Sequence, residues 1–227
     1  MRPSHQLGTL AATAGRRARS LRQLIVERHP AVGAWTSADQ RAIAYAVIEG
    51  ANLWEGYSRA VYLSSAMCAR EPSGGRVQIN PTSPVKNLDD AITIAVHRVD
   101  PRLRNQSGPW QPRQEPDWGS QLAICLAELG ASNLPKIQRA VGLEPEALNH
   151  MRALRNFFAH KGIASVRKAR KLTIKYGLRN EPDPIDFLLS PARGKPGYEP
   201  GEVIVLRWFE VLSKAIQLTV DPIPDSP

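Results

Sequence analysis

Cysteine is nearly absent from this chain, which has two, Cys68 and Cys125, in 227 residues. Two thiols cannot build a disulfide framework or a four-thiolate zinc site, which removes the small secreted scaffolds and the zinc ribbons. The histidine spacings of metal centres are also missing. Neither H-x-x-x-H nor HExxH occurs, so no metal is expected. Ser73-Gly74-Gly75-Arg76 has neither the lysine nor the spacing of a phosphate-binding P-loop, and no cofactor is expected. Long apolar runs are lacking too. The longest apolar stretch, 43–63, carries Glu49, Asn52, Glu55 and Arg59, which excludes a bilayer span. Polar residues interrupt positions 6–14 and Arg16, Arg17 and Arg19 follow, a pattern unlike a signal peptide. A soluble cytoplasmic protein with no membrane partner is the expectation.

What the chain does have is an excess of cations on a foldable background. Hydrophobic residues make up 42%, too many for a disordered chain, and 30 Lys and Arg face 21 Asp and Glu, a net charge of +9. Such a balance favours an anionic partner, nucleic acid foremost. The charge is clustered. Between 161 and 180 stand Lys161, Arg167, Lys168, Arg170, Lys171, Lys175 and Arg179 with no acid, and Arg16, Arg17, Arg19, Arg22 and Arg28 crowd the N-terminal segment. Arg102, Arg104 and Trp110 lie in a proline-punctuated loop, where an aromatic ring can stack on an unpaired base. Any one basic run is more often a solvated face, and it is their sum that points to RNA.

Apolar residues recur at helical intervals in segments separated by proline and glycine. Helices are expected over about 4–27, 36–68, 88–99, 117–129, 134–141, 144–160, 165–176 and 202–220. Gly130 and Gly142 are natural stops, Thr36-Ser37-Ala38-Asp39 offers an N-cap, and 181–201 reads as a loop. Val203-Ile204-Val205-Leu206 suits a strand as well, but the stripe Val205, Phe209, Leu212, Ile216 and Thr219 favours a helix. There is no internal repeat and no alternation of strand and helix. The fold expected is an all-α helical bundle.

The segment richest in chemistry is Leu154-Arg155-Asn156-Phe157-Phe158-Ala159-His160-Lys161-Gly162. It places a permanent cation, a neutral amide and a group that titrates near neutrality on one helix. Arg155 and His160, with the intervening Asn156, resemble the R-x-x-x-x-H signature of the HEPN superfamily, in which Asn, Asp or His commonly follows the arginine. Many HEPN domains are metal-independent endoribonucleases of toxin–antitoxin, phage-defence and CRISPR systems. The resemblance implies a HEPN-like bundle with its core at about 36–180, an extra basic N-terminal helix at about 4–30, and a C-terminal loop and helix at about 181–220, in one domain. It implies Arg155, His160 and Asn156 as catalytic residues. It further implies RNA as substrate and a cognate antitoxin or defence-system partner. HEPN toxins with a nucleotidyltransferase antitoxin usually carry tyrosine two residues after the histidine; here that residue is Gly162.

RNA can be cut without metal when its own 2′-hydroxyl attacks the neighbouring phosphate. His160 would shuttle the proton, Arg155 would stabilise the developing charge with its planar donor fork, and Asn156 would orient one of them. Residues five apart on a helix diverge by about 140° and rise about 7.5 Å, so one helix makes a poor catalytic pair. Two helices across a two-fold axis would converge in one cleft, as in HEPN ribonucleases, so a homodimer across the Arg155/His160 helix is expected.

Glu49, Asn52 and Arg59 cluster on one side of the long second helix, where HEPN domains often place a polar residue beside the Arg–His pair. They are supporting candidates, and Lys161, Arg167, Lys168, Arg170 and Lys171 are the RNA-binding candidates. Plainer readings stand beside these. His160 can be a C-terminal-turn histidine, Arg155 a surface ion-pair partner, and Asn52 a helix–helix hydrogen bond. A catalytically inactive HEPN domain that binds RNA or nucleotide or serves assembly is the second reading of function. A helix-turn-helix DNA-binding regulator built on 122–142, with Lys136, Gln138 and Arg139 on its second helix, is the third.

Overall fold

Alternation of buried alanine and leucine sets the first helix, α1 (Leu7–Arg28), whose inner stripe runs from Leu7 through Leu10, Ala14, Ala18 and Leu21 to Ile25. The next, α2 (Ser37–Ala66), begins at a reciprocal cap. The Asp39 amide donates to the Thr36 hydroxyl at 3.2 Å, and the Thr36 amide donates back to the Asp39 carboxylate at 3.1 Å. The expected end at Cys68 comes at Ala66 instead. Cys68 adopts a left-handed backbone (φ 53°), and the Ala69 amide reaches back to the Ser64 carbonyl at 3.0 Å, which closes the helix.

The computed structural model describes residues 1–28, 36–160, 162–178, 183–192, 198–199 and 201–221. Seven further helices follow: α3 (Leu88–Val99), α4 (Trp118–Glu128), α5 (Leu134–Gly142), α6 (Pro145–His160), α7 (Ile163–Lys175), α8 (Pro184–Leu189) and α9 (Ile204–Leu218). A single 3-10 turn, Pro101–Leu103, follows α3. Among the described residues there is no sheet, and the protein is all-α. No helix among them is long and apolar enough to cross a membrane.

Local chemistry explains most of the boundaries. Asn87 caps α3 by accepting from the Asp90 amide at 2.9 Å. Gly130 stops α4 at a φ of +60°, a conformation that costs glycine nothing. The helix α8 lies where a loop was expected. Asp183 accepts from the Ile185 amide at 2.9 Å, Pro184 fills the first helical position, and Ile185, Phe187, Leu188 and Leu189 are buried. A six-residue helix is too short to show a period, which is why 181–201 reads as a loop. At 204–218 the helical reading holds over the strand.

The chain divides into two units. One takes Met1–Gly15, Leu53–Leu143 and the residues from Lys214, and its core includes Tyr57, Tyr62, Leu122 and Leu126. The other takes Arg16–Asn52 and Glu144–Ser213, with Ile25, Ile43, Tyr176, Phe187, Trp208 and Phe209 inside.

Candidate functional site

The motif helix α6 buries Ala147, Leu148, His150, Met151 and Leu154 on one face. Arg155 and Asn156 follow half-buried, and His160 is the exposed last residue. Where α2 packs against α6 and α9 it carries a glycine. A Cβ on Gly50 would stand 2.8 Å from the Phe209 ring of α9 and 3.0 Å from the Met151 sulfur of α6, so a side chain there would have to displace its neighbours.

Two residues beyond that contact, Asn52 meets the motif. The Arg155 Nε donates to the Asn52 Oδ1 at 3.2 Å, and its Nη1 donates to the Asn156 Oδ1 at 2.9 Å. Asn52 in turn donates to Glu49 at 3.4 Å, and Glu49 is ion-paired with Arg17 of α1. A polar line thus runs Arg17–Glu49–Asn52–Arg155–Asn156 through one unit.

The order of groups along that line matters electrostatically. The Glu49 carboxylate is matched by Arg17, while Arg155 is held by two neutral amide oxygens and makes no ion pair with a described carboxylate. Its orientation is fixed but its charge is not spent. A guanidinium in that condition keeps donors and a full positive charge for an oxyanion.

Of the sequence candidates, Arg155, Asn156, Asn52 and Glu49 therefore come together. His160 sits on the same helix but outside this hydrogen-bond line. Arg59 does not join them. It lies in the other unit, where the Glu115 carboxylate grips it at 2.6 and 3.0 Å and raises its pKa. Sequence spacing placed Arg59 two turns above Asn52, but it could not show that Glu115 claims it.

On α7 the buried positions are Ala169, Leu172 and Thr173. The opposite side exposes Arg167, Lys168, Arg170 and Lys171, along with Ile163 and Ile174 at 75% and 71% exposure. Lys175 lies 3.7 Å from Glu146. Lys161 and Arg179 lie outside the described residues.

Other candidates are structural. His150 is buried, its Nδ1 2.9 Å from the Tyr176 hydroxyl, which also accepts from the Trp208 indole at 2.9 Å. Burial pushes the Tyr176 phenol up to about 12. That cluster gave no sequence signal, because its members are scattered between 150 and 208. Trp110 donates to Thr93 at 2.8 Å and packs edge-on against His97. Burial raises the Cys125 thiol to about 12, so it is inert as a nucleophile.

The would-be recognition helix α5 spends its cations internally. Lys136 pairs with Glu71 at 2.8 Å, and Arg139 donates to the Asp221 carbonyl at 3.3 Å. That leaves few donors for a DNA groove.

No protein-family model, curated protein or solved structure matches the chain.

Proposed function

We propose that the protein is a metal-independent endoribonuclease of HEPN type that works as a homodimer, in the setting of a toxin–antitoxin or phage-defence system. The observation that carries this reading is the Arg155 guanidinium, oriented by Asn52 and Asn156 yet unpaired with any described acid, on the helix that ends at His160.

In the reaction, the ribose 2′-hydroxyl attacks phosphorus, the bond to the 5′-oxygen breaks, and a 2′,3′-cyclic phosphate and a 5′-hydroxyl result. The His160 imidazole of one copy takes the 2′ proton and returns a proton to the leaving oxygen, and a two-fold pair of α6 helices brings Arg155 of the other copy to the same phosphate. Arg155 offsets the charge that accumulates on the phosphorane oxygens. The exposed cations of α7 add sequence-independent attraction for the phosphate backbone.

The test is incubation of wild type and His160→Ala with RNA in EDTA, followed by end-group analysis. Wild type should leave cyclic phosphate ends, and the variant should be slower by about 10²–10⁴ while still binding RNA. Equal behaviour of the two proteins would overturn the ribonuclease and leave an inactive RNA-binding module.

A further inference from the structure

The unit that lacks the motif holds a cavity of about 490 Å³ between the turn at 80–84, the end of α3 and the residues after the 3-10 turn. Two guanidiniums line it, from Arg98 and Arg104. Among the described residues Arg98 has one ion-pair partner, Glu128 of α4, at 3.3 Å with both side chains 48% exposed, a contact that water weakens and an anion can displace. Among the described residues Glu128 is the one acid in the lining. Neighbouring Arg102 is already gripped by Asp100 through two bonds of 2.8 Å. Arg104 is different, exposed and with no side-chain hydrogen bond or ion pair to a described residue.

Neutral donors complete the set. The Asn80 Oδ1 accepts from both the amide and the hydroxyl of Thr82, at 3.0 and 2.9 Å, which leaves the Asn80 side-chain NH₂ as a donor. Ser83, also in the lining, keeps its hydroxyl free of any described partner. His97 forms a fixed wall. Its Nε2 sits 3.0 Å from the Gln106 carbonyl, which can only accept, and its ring packs against Trp110. Ile94 and Pro84 supply apolar surface in the same cavity.

Two cations, hydroxyl and amide donors and one apolar wall form the donor set of a phosphate carried on an organic body. The volume falls within the range of small-molecule sites and exceeds the need of a bare phosphate ion. We propose that this cavity binds a small phosphomonoester of sugar-phosphate size. The phosphate lies between Arg98 and Arg104, and the carbon skeleton lies against Ile94 and Pro84. The site is separate from the RNA chemistry proposed above and does not depend on it.

The test is titration of the full chain with ribose 5-phosphate, inorganic phosphate and ribose, followed by calorimetry and backbone amide shifts. Ribose 5-phosphate should saturate and shift the amides of Asn80, Thr82 and Ser83 and those of 96–100 and 102–104, inorganic phosphate should bind more weakly, and ribose should not bind. Arg104→Gln and Arg98→Gln should each weaken ribose 5-phosphate by about tenfold or more, with an unchanged melting temperature. Arg76→Gln, an exposed cation of the same unit outside the cavity, should leave it unaltered. No saturable binding, equal affinity for inorganic phosphate, or equal weakening by Arg76→Gln would each overturn the proposal. No RNA enters the measurement, so its failure is distinct from failure of the ribonuclease.

Discussion

Arg155 is informative because of what surrounds it rather than what it is. An arginine met by a carboxylate is a structural ion pair, whereas one steered by two amide oxygens is oriented without being neutralised. Asn52 is therefore a positioning residue in the proposed chemistry, and two substitutions separate its roles. Asn52→Ala should lower kcat by about tenfold and leave KM little changed, because the guanidinium loses its alignment but keeps its charge. Asn52→Asp should instead raise KM, because a carboxylate at the same position competes with phosphate for Arg155. Asn52 is exposed, so both variants should keep their stability to within about 0.5 kcal/mol by urea denaturation. Single-turnover and steady-state cleavage of one RNA substrate would read the split.

At the scale of elements, α7 presents an outward face of Arg167, Lys168, Arg170 and Lys171. Phosphate contacts release counterions, so their number is measurable as a salt slope. Replacing Arg167 and Lys171 together with Gln should reduce the slope of log affinity against log salt by about 1.4 for single-stranded RNA. An unchanged slope would move the RNA path off this helix.

Much of the element layout was legible beforehand. Gly130, Gly142 and the cap at Thr36 and Asp39 announce their helix ends by local rules that need no tertiary context. The sequence conceals what depends on partners far along the chain. Asn52 could be placed on a polar stripe, but its contact with Arg155 spans 103 positions. Arg59 shared that stripe and went to Glu115 instead. The backbone reversal at Cys68 was hidden because a non-glycine residue adopts it, and α8 because six residues carry no period.

At the scale of the whole molecule, the proposed cleft requires two chains, and complementation reads that directly. Arg155→Ala and His160→Ala should each cleave far more slowly than wild type when alone. Mixed and allowed to exchange subunits, they should recover part of the wild-type cleavage, since a heterodimer brings one intact arginine and one intact histidine to a shared cleft. No recovery, with exchange verified by native mass spectrometry, would confine each site to one chain. Sedimentation of the wild type should give a mass twice the 25.0 kDa of the chain.

The glycine at position 50 gives the site a gauge. Hydrogen bonds tolerate a few tenths of an ångström, and the reach from Asn52 to the guanidinium is already 3.2 Å. A methyl group at position 50 would press on the Met151 sulfur of α6 as well as on the Phe209 ring of α9, and moving α6 away to relieve it would lengthen that reach. The alignment of a surface arginine is thus metered from within the apolar interior, by hydrogen where every other amino acid has carbon.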